Sequence, residues 1–258
     1  MPNVIRTAGM NYVSAKPLPL DLARQLSWTN KIVVVSFGSS ASKLPDKAMA
    51  AFLEAFAQFP DYAFVWKLPN ADKYTLPKNI IALPWLPQND LMGDNRTKLF
   101  ISHCGSNGIH EAFYHAVPII GFPFFGDQPA NAFNVETKGY GLYLDIKTVT
   151  GDQLAQAMRR VMNDENIKRR LQKVSCIIKE RPLPSETVAK AIEHVMKYGG
   201  EHLRPASIDM PLYELYMMDI LAFILLCFTG ILVVLYFVIR FLFRMICRKC
   251  TYKKMKAE

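Results

Sequence analysis

Four short stretches of the chain combine small residues with polar side chains able to hold a ligand. They are Gly38, Ser39 and Ser40; Trp85, Pro87 and Gln88; His103, Gly105, Ser106, Asn107 and Glu111; and Asp127 with Gln128. The chemistry they suggest is recognition of a phosphorylated ligand. Backbone N–H groups at the start of a helix over Ser106–Ala116 would point at an anion, helped by the helix dipole. Gly38 and Gly105 let backbone approach a ligand without a Cβ in the way. Asn107 and Glu111 stand four apart and share a helix face, while Ile109, Ala112, Phe113 and Ala116 can face a core. An amide in the first turn and a carboxylate one turn deeper suit a phosphate first and a diol second. Trp85 offers a flat apolar face for a base.

Taken singly, these residues have simpler explanations. Ser106 or Asn107 can be a helix N-cap, and His103 a core histidine satisfied by backbone. Cys104 next to His103 does not make a nucleophilic dyad, because adjacent strand residues point to opposite faces. His103, His110 and His115 do not share one face, so no metal site is expected. Taken together, the arrangement favours a nucleotide-type ligand.

The elements that must position these groups alternate. Short apolar runs predict strands at Ile32–Phe37, Ala63–Lys67, Ile80–Leu83, Leu99–Ser102, Pro118–Phe122 and Gly141–Asp145. Between them, Met49, Phe52, Leu53, Phe56 and Phe59 recur at helical spacing, with Pro45 suited to a first turn. Further helices are expected over Ser106–Ala116 and Gln128–Thr137. Thr150 with Gln153 reads as a capping box opening a helix to Met162, and helical segments follow at Ile167–Lys179 and Glu186–Lys197. Apolar strands alternating with helices predict an α/β fold, a Rossmann-like parallel sheet with helices on both faces. In such sheets ligands bind beyond the carboxyl ends of the strands, which points at the turns after Phe37, Leu83, Ser102 and Phe122. Residues 1–30, with Lys16–Leu20 reading KPLPL, are expected to be a linker and lead-in strand.

Charge and hydropathy are unevenly distributed. Ile220–Ile239, ILAFILLCFTGILVVLYFVI, is uncharged throughout and long enough to cross a ~30 Å hydrocarbon core. Tyr213, Tyr216 and Tyr236 lie near its ends, as interfacial aromatics do. Of the net charge of +9, residues 240–258 supply +6, from seven Lys and Arg against Glu258, leaving +3 for the rest. That pattern excludes a nucleic-acid footprint. It is a juxtamembrane basic cluster, and the positive-inside bias places the C-terminus in the cytosol and the bulk of the chain across the membrane. The five cysteines imply no disulfide framework. The opening MPNVIRTAGM has no apolar h-region, so it is not read as a signal peptide.

The stretch WLPQNDLMGDNRTKLFISHCGSNGIHEAFYHAVPIIGFPFFGDQPANA closely resembles the signature of the UDP-glycosyltransferase family, in particular its animal UDP-glucuronosyltransferase branch. The likeness runs from SFGSS to EHVMKYGGEHLRPASIDMPLYELYMMDI, the apolar span and the basic tail. It implies the C-terminal, donor-binding half of a GT-B glycosyltransferase followed by one transmembrane helix. Residues 31–210 would be a UDP-sugar-binding domain, 211–243 a membrane-proximal segment and transmembrane helix, and 244–258 a basic cytosolic tail. Carried across position by position, the resemblance puts Trp85 on uracil, Gln88 on the uridine and Glu111 on the ribose hydroxyls. Ser39, His103, Gly105, Ser106 and Asn107 would line the diphosphate, and Asp127 and Gln128 would bind sugar hydroxyls. It implies no metal and no other cofactor.

The implied activity is transfer of glucuronic acid or glucose from the UDP-sugar to a hydroxyl of a small lipophilic acceptor, with inversion. The general base would be a His in an N-terminal domain that this chain lacks, so no catalytic residue is assigned. The alternative is a truncated, non-catalytic membrane protein that binds UDP-sugar or pairs with itself or full-length relatives. The expected location is the endoplasmic reticulum membrane, single-pass, with the bulk lumenal. Lys254 and Lys256, fifth and third from the end, resemble a dilysine retrieval signal. Lys67 stands where vertebrate members often have Arg, and GDNRTK replaces the commoner GHPKTK, creating a glycosylation sequon at Asn95-Arg96-Thr97.

Overall fold

The computed structural model describes residues 4, 5, 7, 9–38 and 44–255. Ser39 and Ser40 of the first ligand stretch, and Lys256 of the dilysine pair, therefore lie outside the described residues. The chain divides into two compact units, one spanning Ile5–Lys197 and the other beginning at Tyr198.

The first unit is built on six parallel strands: β1 (Ile32–Ser36), β2 (Ala63–Lys67), β3 (Ile80–Leu83), β4 (Thr97–Ser102), β5 (Ile119–Gly121) and β6 (Gly141–Tyr143). Their spatial order is β3-β2-β1-β4-β5-β6, so the direction of winding reverses between β1 and β4. Around them lie α1 (Leu20–Gln25), α2 (Asp46–Ala57), α3 (Gln88–Gly93), α4 (Ser106–His115), α5 (Gln128–Thr137), α6 (Gly151–Asn163), α7 (Glu165–Lys179) and α8 (Pro184–Tyr198).

Every residue of β1 is buried, which is why its sequence shows no alternation: helices cover both faces. On one face Val33, Val35, Phe64 and Trp66 pack with Phe52 and Phe56 of α2 and Leu154, Met158 and Val161 of α6. On the other, Ile32, Val34, Val65 and Phe100 meet Leu22 of α1, Leu91 of α3, Ile109 and Ala112 of α4 and Val135 of α5. The expected parallel sheet covered on both faces is the one observed. The capping box is also present: Gln153 N donates to Thr150 Oγ1 at 3.3 Å and Thr150 N to Gln153 Oε1 at 3.1 Å.

One local expectation is corrected. No lead-in strand exists among the described residues before Asn30. Instead Pro19 is the N-cap of α1, and proline in that role starts a helix while lacking the N–H that a strand ladder needs. Leu22 and Leu26 of this segment are buried in the core, so it is part of the packed unit rather than a linker. The short helix α3 was also unforeseen, since its six residues are too few to show a 3.6-residue period.

His115, the last residue of α4, ties this side together: its Nε2 lies 3.1 Å from Asn89 Oδ1, which also accepts from Val13 N at 3.3 Å. Burial, with the nearby Lys179 charge adding to it, lowers the His115 pKa to about 4, against opposition from Asp90 and the Val13 backbone. A histidine depressed in the fold is neutral there, while the unfolded chain takes up a proton near pH 6.5. Stability tied to His115 is therefore present above pH 6.5 and lost as pH falls towards 4. Melting temperatures in detergent should fall over this interval more steeply for the native protein than for His115→Gln. Parallel curves would contradict the burial of a neutral ring.

In the second unit, α9 (Leu212–Leu215) precedes α10 (Met218–Met255). The Met218–Phe241 part of α10 is long and apolar enough to cross a membrane, with mean hydropathy 2.9. This contains the predicted Ile220–Ile239 span.

Candidate functional site

The turns after β1, β3, β4 and β5 converge on one cleft of about 620 Å³ at the carboxyl ends of the strands. It sits where the sheet reverses its winding, the position at which open parallel sheets bind ligands, because two loops there diverge and leave a crevice. Gly38, Trp85, Gln88, His103, Gly105, Ser106, Asn107, Glu111 and Asp127 all line it. Lys67, at the end of β2, and Asn11, Asn89 and Asp90 line it as well. The sequence carried a signal for Lys67 only as a departure from a family pattern, and none for Asn11.

The core of the site is the link from β4 to α4. Cys104 takes a left-handed conformation, φ 62°, which turns the chain sharply so that Gly105 becomes the N-cap of α4. Among the described residues no side chain caps this helix, so its first backbone N–H groups are left for whatever occupies the cleft. The alternative of Ser106 or Asn107 as a mere cap is thereby set aside. Ser106 is instead bonded one turn on, where its carbonyl oxygen lies 2.7 Å from His110 Nδ1.

The same turn separates His103 from Cys104. The Cys104 thiol points into the core beside Gly121, and burial pushes its pKa up to about 12. Cys104 is thus no nucleophile. Alkylation with a maleimide at pH 7.5, read by peptide mass spectrometry, should label exposed Cys176 and leave Cys104 unmodified in the native protein. Equal labelling would contradict this packing.

The His103 ring lies against two glycines, with its Nε2 2.8 Å from where a Cβ on Gly38 would stand and 2.4 Å from one on Gly105. Only glycine at both positions leaves the imidazole its place. Its Nδ1 is buried and has no hydrogen-bond partner among the described residues. Burial lowers the His103 pKa, with the Ser36 carbonyl and Asp127 carboxylate opposing and Lys67 adding to the lowering. The ring is therefore neutral at pH 7 and can donate one N–H.

One turn along α4, the buried Glu111 carboxylate accepts a 2.6 Å hydrogen bond from Gln88 Nε2. Burial raises the Glu111 pKa, Gln88 lowers it in part, and Asp90 raises it further. The two side chains assigned to neighbouring parts of a nucleoside thus already hold each other in position. Trp85, 72% exposed, presents its ring to the cleft. Lys67 Nζ lies 4.2 Å from the ring centroid, a cation–π contact that fixes the ring plane.

Asp127 and Gln128 part company. Asp127 lines the cleft, and its Oδ2 accepts from Asn131 Nδ2 at 2.7 Å, which also bonds the Cys104 carbonyl at 3.1 Å. Gln128 does not line the cleft. It is buried, and its Oε1 accepts from the backbone N–H of Phe124 at 2.9 Å and of Phe125 at 3.3 Å. Through these bonds Gln128 holds the turn that carries Asp127. Ser39 lies outside the described residues. Among the described residues no cluster of three or more His, Cys, Asp or Glu could hold a metal ion.

A family model described as UDP-glucoronosyl and UDP-glucosyl transferase matches residues 1–257. UDP-glucuronosyltransferase 1A9 of Homo sapiens is 36% identical over 229 residues, covering 87% of this chain and 43% of the relative. UDP-glucuronosyltransferase 1-2 of Mus musculus is 35% identical over 254 residues, covering 97% and 47% respectively. The chain thus spans about half the length of the curated relatives it matches. Among solved structures, the glycotransferase of kitacinnamycin aligns with TM-score 0.59 at 26% identity, covering 71% of this chain and 46% of that one. A UDP-glucose: anthocyanidin 3-O-glucosyltransferase in complex with UDP aligns with TM-score 0.57 at 24% identity, covering 67% and 43%. The fold is that of one half of a GT-B glycosyltransferase.

Proposed function

The chain belongs to the UDP-glucoronosyl and UDP-glucosyl transferase family, and from that premise we propose that its cleft binds a UDP-sugar for transfer to a hydroxyl of a small lipophilic acceptor. The observation that carries this reading is the uncapped N-terminus of α4 opening into a cleft where four strand-end turns meet. An anion there gains the helix dipole and free N–H groups together. The diphosphate is assigned to that N-terminus, with Gly105, Ser106, Asn107 and the neutral His103 as donors. Ser39 is assigned beside them on the family resemblance alone. Uracil is assigned to the Trp85 face, the uridine to Gln88, and the ribose hydroxyls to Glu111. Asp127 is assigned to the sugar, which is glucuronic acid or glucose.

Each role follows from charge and reach. A carboxylate accepts from both hydroxyls of a diol, which is why Glu111 must be ionised to bind ribose. Gln88 favours that state by donating to the carboxylate. Charge on the diphosphate is offset by oriented amides, His103 and Lys67, with no divalent ion assigned. No described residue is given the role of general base. That role is assigned to an acceptor-binding half of the relatives, which would hold the base within hydrogen-bond reach of the attacking hydroxyl for inversion at the anomeric carbon.

The Met218–Phe241 helix is assigned as a single span of the endoplasmic reticulum membrane, with the basic tail cytosolic and the sheet unit lumenal. Calorimetry of the full chain in detergent tests the donor site. Heat is expected with UDP, UDP-glucuronic acid and UDP-glucose, unchanged by EDTA. No heat with any of the three, from folded protein, would overturn the reading.

A further inference from the structure

Asn95-Arg96-Thr97 is the one Asn-x-Ser/Thr triplet in the chain. In sequence it lies eight residues before His103 and looks like part of the ligand loop. In the fold it is at the opposite end of the sheet. Strand β4 runs from Thr97 to Ser102 and delivers His103 to the cleft. Asn95 therefore precedes the amino end of β4, about 20 Å from His103 at the rise of an extended strand. Its surroundings are those of that far end: Ile32 N, at the start of β1, donates to the Arg96 carbonyl at 2.9 Å, and Arg96 Nη1 donates to the Leu26 carbonyl at 3.1 Å.

The turn is built to display the residue at its middle. Asp94 and Arg96 pair across it at 2.7 Å, with Arg96 Nε also donating to Asp94 Oδ1 at 2.9 Å. These contacts pin both neighbours of Asn95. Asn95 itself is exposed, and its side-chain amide makes no hydrogen bond among the described residues.

We propose that Asn95 is an N-glycosylation site, carrying its glycan on the edge of the sheet away from the cleft. The proposal rests on the lumenal orientation given above. The donor is a lipid-pyrophosphate-linked oligosaccharide. The Asn95 amide nitrogen attacks its terminal anomeric carbon, a C–N bond forms, the C–O bond to pyrophosphate breaks, the amide loses one proton, and the lipid pyrophosphate leaves. In the folded protein Thr97 is held by the Leu91 and Asp94 carbonyls, so the transfer takes place on the emerging chain, before β4 pairs. A glycan at this position leaves the crevice open.

Microsomes from cells producing the protein, treated with peptide-N-glycosidase, test this. A single discrete drop in apparent mass is expected for the native chain and for Thr97→Ser, which keeps the sequon. None is expected for Asn95→Gln or Thr97→Ala. Protease protection of the same microsomes reads orientation independently. A protected sheet unit with no glycosidase-sensitive drop would overturn the glycan while leaving the orientation intact. A sheet unit digested from outside would overturn the orientation and the glycan with it. UDP affinity of Asn95→Gln should equal that of the native protein, and a tenfold loss would overturn the placement of Asn95 away from the cleft.

Discussion

Glu111→Ala is expected to weaken UDP and UDP-sugar equally, by roughly 10- to 100-fold, whereas Asp127→Ala should weaken UDP-sugar by about tenfold and leave UDP nearly unchanged. The magnitudes follow from hydrogen bonds to a charged group, worth about 1.5–3 kcal/mol each. Glu111 is buried one turn inside α4 and fixed by Gln88, so it reaches only the part of a ligand that lies deep in the cleft. Both ligands share that part. Asp127 sits at the start of α5, at the mouth, where the portion beyond the diphosphate would lie. Isothermal titration with both ligands separates the two. Equal losses for UDP and UDP-sugar in Asp127→Ala would contradict its assignment to the sugar. Glu111→Gln is the companion variant, keeping the volume and removing the charge. Because burial raises the Glu111 pKa, native affinity should decline on acidification at a higher pH than an ordinary carboxylate would give. That decline should be smaller in Glu111→Gln, which has no carboxyl to protonate at this position.

The second large effect concerns a single methyl group. In Gly105→Ala the new Cβ would stand 2.4 Å from His103 Nε2, so the ring must move. Gly105 has φ −66° and ψ 142°, an extended conformation that alanine adopts without strain. The loss therefore reports the contact with His103 and not the backbone. Overpacking of this kind costs about 1–3 kcal/mol, a fall of roughly 2–10 °C in melting temperature, and UDP affinity should drop by at least about tenfold with it. The double variant His103→Ala with Gly105→Ala should regain the melting temperature but not the affinity, since the N–H donor is gone. Native UDP affinity in Gly105→Ala would show that His103 does not stand at the diphosphate.

The parts of the fold that were legible in the sequence are those written in local patterns. Strand β1, IVVVS, is a short β-branched apolar run and reads as a strand covered on both sides, as its burial bears out. Thr150 and Gln153 name a helix start by themselves, because both halves of a capping box are local. Segment α1 was misread since Pro17 and Pro19 suit an extended lead-in as well as a helix cap, and only the burial of Leu22 and Leu26 decides between them. The inward turn of Gln128 was not legible for a related reason. An exposed Asp-Gln pair and one with its second member turned inward have the same spelling. The bonds to Phe124 and Phe125 that turn it inward depend on the path of the intervening loop.

By itself, then, the sequence determined the alternation of strands and helices, the polar turns at the strand ends, the apolar span and the basic tail. Periodicity, capping and hydropathy all act within a few residues. Only the tertiary structure decided the strand order that places the reversal between β1 and β4, the Gln88–Glu111 bond, and the imidazole fitted between Gly38 and Gly105. It also decided that Asn95, a short step from His103 along the chain, stands at the other end of the sheet. Those are contacts between residues brought together by packing, and an extended strand carries its two ends apart whatever their separation in sequence.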